Sequence, residues 1–221
     1  AVKGTVYVFG IGWTSYSSVP QGVAKYDTLH DRWMPLPDMP SRQGWASVGV
    51  VGGKCYVIGG ASSFAGVAST AVYEFDPAKE TWRSRAALPE RRTMAAAAVV
   101  GNKIYVIGGG DKDSFLPTIR PSVAIYDPAS NSWTQGADMP TPRFLHAAAA
   151  FEGKIYAMGV TVNGNYIYTD IVERYDPATD TWGTVASMLN RKRGHSASLL
   201  RGGIYSVGGV AMGFGLSGLV E

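Results

Sequence analysis

A short apolar segment that ends in glycine recurs five times along the chain, and it constrains the fold more than any other feature. Its clearest copy, Lys-Ile-Tyr-Val-Ile-Gly-Gly, spans residues 103–109. The central tyrosines lie at positions 7, 56, 105, 156 and 205, so the spacing is 49, 49, 51 and 49 residues. β-Branched and aromatic residues bounded by glycines are typical of a buried strand that runs into a turn. A period of this length predicts a single array of repeats.

Each repeat has four parts, and each part is typical of a short strand. A run of small residues comes first, as in residues 91–100, and the tyrosine segment follows it. The third part ends in aspartate, which Pro-Ala follows in three copies, and this marks a tight turn. The fourth part begins with a tryptophan: Trp33, Trp82, Trp133 or Trp182. Four antiparallel strands per repeat predict one twisted sheet, and such sheets packed radially form a β-propeller.

Three marks make the chain resemble the kelch-repeat family: the Gly-Gly doublet, the Tyr-Asp pair six or seven residues before a tryptophan, and the arginine that opens the next unit. Together they cover essentially the whole chain. The resemblance implies an all-β fold, a kelch-type β-propeller with four-stranded antiparallel blades. We expect the small-residue strands, such as residues 95–98, to be innermost and the tryptophans to pack between blades on outer strands. Ile11 and Val160 replace the second glycine in two copies, which we expect to relax a turn without loss of the fold.

The repeat boundaries predict a single partial propeller of about four and a half blades over residues 1–221. Complete blades are expected at 41–89, 90–140 and 141–189, and partial blades at 1–40 and 190–221. We expect the chain to be an incomplete ring from a larger propeller. The family suggests six blades for that parent, and the repeat arithmetic equally permits five. Open sheet edges on the partial blades would favour self-association.

Composition excludes several classes of function. A net charge of +3 with no basic run argues against a nucleic-acid partner. No apolar stretch is long enough to span a bilayer, so we expect a soluble protein without a membrane partner. The single cysteine, Cys55, lies in a buried-strand pattern, where a thiol usually serves as a small hydrophobic side chain. We predict no cofactor and no metal site.

The loops between the second and third strands carry all the variation in repeat length. Each aspartate is 29 residues from the next tyrosine, whereas each tyrosine is 20 or 22 residues from the next aspartate. Alternating strand directions place these two-to-three loops on the same face as the four-to-one connections between repeats. We call this the loop face. Variable loops on a rigid scaffold are typical binding sites, and aromatic residues are favoured contacts in them. The candidate aromatic contacts are Trp13, Tyr16, Phe64, Phe115 and Tyr166.

Arginines in the four-to-one connections would surround the propeller axis on the loop face. Guanidinium groups bind carboxylates and phosphates through paired hydrogen bonds. The arginines that open each repeat are expected to bond to backbone carbonyls of neighbouring blades: Arg42, Arg91, Arg143 and Arg191. Arg92 and Arg193 depart from this pattern. We therefore predict that Arg92 and Arg193 point into solvent at the axis and bind the ligand.

Two histidines, His146 and His195, occupy matching positions in adjacent repeats. We expect Trp45 and Met94 at that position in the other repeats. Imidazoles near the axis are candidate ligand contacts, although histidines at this point of a kelch repeat often serve packing. In principle they can also bind a metal or act as an acid and a base.

These features favour a binding module that holds a protein, an acidic peptide or a carbohydrate on the loop face. The resemblance also allows an enzyme, since some kelch propellers are copper-containing sugar oxidases or epimerases of the sialic-acid type. Cys55 lies inside a strand beside Tyr56, which is the wrong place for the cross-link of the oxidase. An arginine-lined funnel does suit a sugar acid, as in the epimerase or a mutarotase. A purely structural repeat array is the third alternative. The sequence contains no Ser-His-Asp order, phosphate-binding glycine loop or close carboxylate pair.

Overall fold

The computed structural model describes residues 1–11, 21–63, 67–111, 118–162, 166–211 and 215–216. Antiparallel sheets follow one another along the chain. The first sheet contains β1 (Val6–Ile11), β2 (Gly22–Asp27) and β3 (Arg32–Leu36). The second contains β4 (Ser47–Val51), β5 (Lys54–Ile58), β6 (Val72–Asp76) and β7 (Thr81–Ser84). The third contains β8 (Ala96–Val100), β9 (Lys103–Ile107), β10 (Val123–Asp127) and β11 (Ser132–Gly136).

The remaining strands form four sheets, two built from five-residue strands and two built from two-residue strands. The fourth sheet begins with β12 (Ala147–Phe151) and β13 (Lys154–Met158). The next two strands, β14 (Thr161–Val162) and β15 (Tyr166–Ile167), pair only with each other. The fourth sheet is completed by β16 (Val172–Asp176) and β17 (Thr181–Val185). The next strand is β18 (Lys192–Arg193). The fifth sheet pairs β19 (Ser196–Leu200) with β20 (Gly203–Val207). The last strands, β21 (Val210–Ala211) and β22 (Gly215–Leu216), form a small sheet with β18.

The predicted order of four strands per repeat is confirmed in the second, third and fourth sheets. In each of them the strands are hydrogen-bonded in chain order, from the small-residue strand to the tryptophan strand. The pairing register also repeats, because Ala96 pairs with Ile107, Ala147 with Met158 and Ser196 with Val207. Equivalent positions can therefore be assigned from the strands themselves.

The small-residue strands are innermost, as predicted. Strands β4, β8, β12 and β19 contact one another in succession, which places the sheets side by side around their first strands. Crowding explains the small residues: a Cβ added at Gly49 in β4 would lie 2.9 Å from Cγ2 of Ile104 in the third sheet. A larger side chain there would push the neighbouring sheet away.

Aromatic clusters fill the seams between successive sheets. Tyr105 of the third sheet meets Tyr175 of the fourth with 6.0 Å between ring centroids, and Trp182 packs against the same cluster. The Trp182 indole N–H donates a hydrogen bond to the Ala137 carbonyl of the preceding sheet at 2.9 Å. Trp82 and Trp133 make the equivalent bonds, to the carbonyls of Pro37 and Ala86.

Trp33 is the exception to the predicted packing between blades. Its side chain is 54% exposed and contacts Tyr26 of its own sheet. The other three indoles bond to the sheet before them in the chain, and Trp33 belongs to the first sheet.

The Gly-Gly turns after the second strands link neighbouring sheets through their backbones. Gly108 and Gly109 have φ values of 62° and 86°, and a Cβ on Gly109 would lie 2.7 Å from the Thr93 carbonyl oxygen. The Gly109 N–H donates to the Arg143 carbonyl of the next repeat at 2.8 Å. In the fourth sheet Val160 replaces the second glycine and is fully buried, so the turn accepts a side chain there.

Cys55 is buried between the first two sheets, where it serves as the small hydrophobic residue that its strand pattern predicts. Burial raises the pKa of its thiol to about 11. Among the described residues, no helix has the length and hydropathy needed to cross a membrane.

Candidate functional site

A buried polar side chain lies four residues before each inner strand from β4 to β19. The four residues are Gln43, Arg92, Arg143 and Lys192, and none is more than 3% exposed. Gln43 Nε2 donates to the Gly59 carbonyl at 2.7 Å, and Arg92 Nη1 donates to the Gly108 carbonyl at 3.0 Å. Arg143 Nη1 donates to the Gly159 carbonyl. These three side chains therefore hold the first glycine of the turn in their own sheet.

Arg92 is consequently not directed into solvent, and that prediction is wrong. Its guanidinium also donates to the carbonyl and the hydroxyl of Ser122, at 2.7 and 2.6 Å. Burial lowers the pKa of Arg92 to about 10. The error was one of register, because the strands align Arg92, and not Arg91, with Arg143. We do not propose Arg92 as a ligand contact.

Exposed arginines stand one residue before the buried position in three of the four connections. They are Arg42, Arg91 and Arg191, and Pro142 takes their place in the fourth sheet. Arg91 Nη1 donates to the carbonyl of Ala68, in the two-to-three loop of the preceding sheet, at 3.2 Å. Arg191 Nε lies 3.7 Å from Asp170 Oδ1, and its side chain is 59% exposed. Arg91 thus bonds to a backbone carbonyl of the preceding sheet, as predicted, whereas Arg191 contacts a carboxylate of that sheet. Both side chains also present charge to solvent.

Arg193 lies in β18 and is partly exposed. Its guanidinium carbon is 5.4 Å from the centroid of the Tyr168 ring, which is a cation–π distance. Arg193 is two residues from Arg191, so the connection into the fifth sheet carries two solvent-accessible cations.

His146 and His195 fill seams between sheets, and each is 7% exposed. A Cβ added at Gly108 would lie 3.0 Å from His146 Cε1, and Gly159 stands against His195 in the same way. The strand register assigns Ala46 and Ala95 to this position in the other repeats, so the expected equivalence with Trp45 and Met94 is wrong.

The environment of His146 opposes its positive charge. Burial, followed by the charges of Arg143 and His195, lowers the pKa of His146 to about 3. The side chain is therefore neutral at pH 7. Within the described residues there is no cluster of three or more histidine, cysteine, aspartate or glutamate side chains that could hold a metal ion.

A chain of backbone hydrogen bonds joins the four-to-one connections. Met94 N–H donates to the Trp45 carbonyl at 3.0 Å, and Leu145 N–H donates to the Met94 carbonyl at 2.9 Å. Gly194 N–H continues the series to the Leu145 carbonyl at 2.8 Å. Each of these residues lies two positions before an inner strand. Together they form an arc along the inner edge of the loop face.

The stems of the two-to-three loops rise beside the same connections. Ala61 forms backbone bridges with both Gly44 and Ala68, and Gly110 forms them with both Thr93 and Ile119. The predicted aromatic contacts Trp13, Tyr16, Phe64 and Phe115 lie outside the described residues. Tyr166 begins β15, and its side chain is likewise outside the described part of the structure.

Comparison with known proteins agrees with this architecture. A family model described as the KLHDC2/KLHL20/DRC7 Kelch-repeats domain matches residues 1–209. The kelch-like protein terF of Aspergillus terreus is 27% identical over 178 residues, which cover 78% of this chain and 39% of that protein. The chain thus spans well under half the length of this curated relative.

A solved structure, that of YjhT, superimposes with a TM-score of 0.85 at 18% sequence identity. The match covers 99% of this chain and 78% of YjhT. At this level of identity the similarity shows the fold, which is a kelch β-propeller built from four-stranded antiparallel sheets. The sheets described above are therefore propeller blades.

Proposed function

The chain belongs to the kelch-repeat family, and from that premise we propose that it binds an acidic peptide segment of a partner protein on its loop face. Kelch propellers are commonly protein-binding modules, and this one carries exposed arginines at the same position of three four-to-one connections. We infer a protein partner from the fold, and we infer that the partner's segment is acidic from the positive charges of the exposed arginines.

One observation carries the proposal: Arg42, Arg91 and Arg191 are exposed at the same position of three connections. The backbone arc from Trp45 to Gly194 holds these connections side by side, so successive arginines occupy a common rim. The adjacent position is buried in each of the four described connections. Only one connection carries arginine at both the exposed and the buried position, at Arg91 and Arg92, and even there the two side chains differ in accessibility.

The chemistry of the rim suits carboxylates. Each guanidinium presents five donors in a planar fork, and a hydrogen bond between charged partners contributes about 1.5–3 kcal/mol. Arg193, stacked on Tyr168, adds a further cation with a fixed orientation. We keep Arg193 as a predicted contact, and His146 and His195 as supports beneath the rim rather than direct contacts.

A labelled glutamate-rich peptide tests the proposal by fluorescence anisotropy. We expect Arg91→Ala and Arg191→Ala each to weaken binding about tenfold, since 1.4 kcal/mol corresponds to a factor of ten. Arg83→Ala is the control, because Arg83 is exposed on the outer strand β7 and its loss changes the net charge equally. Binding should also weaken as the salt concentration rises.

The same experiment separates this function from its alternatives. Equal weakening by Arg83→Ala and Arg91→Ala would reduce the binding to nonspecific charge attraction and contradict the proposal. A thermal shift with sialic acid, together with no peptide binding, would instead favour the sugar-acid enzyme. A shift with neutral oligosaccharides alone would favour carbohydrate binding.

A further inference from the structure

Three bulky apolar residues of the loop face have a backbone conformation that favours glycine. The φ values are 54° at Trp45, 57° at Met94 and 48° at Leu145, and Gly194 has φ 61° at the equivalent position. Among the described residues, the other non-glycine residues with positive φ are polar and lie in tight turns: Lys3, Asp31, Glu80, Asn102, Asn131, Glu152, Asp180 and Arg201. A bulky apolar side chain in this conformation costs energy, and such strain concentrates at functional sites.

The three side chains are only partly buried and lie outside the apolar clusters of the described residues. Leu145 is partly exposed, whereas Phe144 before it and His146 after it are each at most 7% exposed. Trp45 and Met94 are also partly exposed. None of the three belongs to the apolar clusters that the described residues form between sheets. Gly194 shows that the backbone arc forms without a side chain at this position.

The position of these residues relates them to the cationic rim. Trp45 and Met94 each follow an exposed arginine by three residues, Arg42 and Arg91 respectively. The backbone hydrogen bonds hold Trp45, Met94 and Leu145 next to one another in successive blades. An apolar surface therefore lies inside a rim of positive charge.

We propose that Trp45, Met94 and Leu145 form an apolar anchor site that accepts one bulky apolar side chain of the bound peptide. The proposal rests on the proposed function and adds a specificity to it. The peptide would place its apolar residue against the arc, and flanking carboxylates would reach the arginines. Charge complementarity thus defines the occupant as an acidic segment interrupted by an aromatic or large aliphatic residue.

Two labelled peptides test the anchor site, Glu-Glu-Phe-Glu-Glu and Glu-Glu-Gly-Glu-Glu, each blocked at both ends. The wild-type protein should bind the phenylalanine peptide about tenfold more tightly, because only that peptide buries a large apolar side chain. Met94→Gly and Leu145→Gly should bring this ratio close to one and retain the binding of the glycine peptide. Their melting temperatures should be unchanged or higher, since glycine relieves the strained conformation.

Asn102→Gly is the matched control, because Asn102 has φ 63° in the turn between β8 and β9. This variant also places glycine at a positive φ, away from the loop face, and should keep the wild-type ratio. Equal binding of both peptides by the wild-type protein would overturn the anchor site and leave the proposed function intact. Failure to bind either peptide would overturn both. A melting temperature lowered by Met94→Gly, with the ratio unchanged, would make Met94 a structural residue and contradict the proposal.

Discussion

Arg143 and Glu173 form an ion pair that is buried inside the fourth blade, with 2.9 Å between Nη2 and Oε2. Their side chains are 0% and 3% exposed. Thr141 donates a further hydrogen bond to Glu173 at 2.8 Å. In the second and third blades Tyr73 and Ala124 occupy the position of Glu173, so no carboxylate stands at this position beside their Gly-Gly turns.

Removal of one member of this pair should destabilise the protein strongly. Glu173→Ala leaves a buried guanidinium without its counter-charge, and we expect a loss of about 3–5 kcal/mol in the free energy of unfolding. Replacing both residues, by Arg143→Met and Glu173→Leu together, should cost less than the sum of the single changes. Urea unfolding measures Glu173→Ala, the double variant and the two single variants that compose it. Additive losses would show that the two charges do not depend on each other.

The repeat period predicted the blades well because crowding and seam packing act on every repeat alike. Alanine runs mark inner strands, since larger residues clash there, and tryptophan marks outer strands, since its indole reaches the preceding blade. The arginines were misassigned because Arg91 and Arg92 are adjacent and chemically identical, and only strand pairing shows which one is buried. The left-handed conformation of Met94 has no sequence signal, since methionine rarely adopts it.

The seam tryptophans provide a second test. Trp133→Phe removes the indole donor to the Ala86 carbonyl and part of the apolar contact with the second blade. We expect it to lower the free energy of unfolding by about 1–3 kcal/mol. Trp33→Phe is the natural control, because Trp33 is largely exposed, and it should change stability by less than about 0.5 kcal/mol. Similar losses at both positions in urea unfolding would contradict the assigned role of the seam bond.

The buried histidine predicts how stability depends on pH. The pKa of His146 is lowered in the folded protein to about 3, chiefly by burial, whereas a histidine in an unfolded chain has a pKa of about 6.5. Between these values the unfolded state binds one more proton, so stability should fall as the pH falls from about 6.5 towards 3. Neither ring nitrogen has a hydrogen-bond partner among the described residues, so protonation would bury two unsatisfied donors.

His146→Ala should weaken this pH dependence, because it removes the imidazole that takes up the proton. The fold accepts alanine at this position, since Ala95 is its equivalent in the third blade. The measurement is the difference in free energy of unfolding between pH 7 and pH 4.5, with His30→Ala as the control. The His30 side chain is 59% exposed. An unchanged difference in His146→Ala would show that other groups govern the response to acid.

Asp180 joins the third and fourth blades through two hydrogen bonds. It accepts one from the Tyr175 hydroxyl of its own blade and one from the Ala137 N–H of the preceding blade, at 2.6 Å for the latter. Both bonds, the first more strongly, lower the pKa of Asp180. Asn131 makes the same two contacts one blade earlier, with Tyr126 and the Ala86 N–H.

Asp180→Ala and Asp180→Asn should therefore differ sharply. The alanine variant leaves the buried Tyr175 hydroxyl without its acceptor and forces alanine into φ 52°, so we expect a loss of about 1–3 kcal/mol. The asparagine variant keeps an acceptor oxygen and tolerates positive φ, as Asn131 does, and should lose less than about 1 kcal/mol. Equal losses in urea unfolding at pH 7 would mean that the charge of Asp180, rather than its hydrogen bonds, holds the seam.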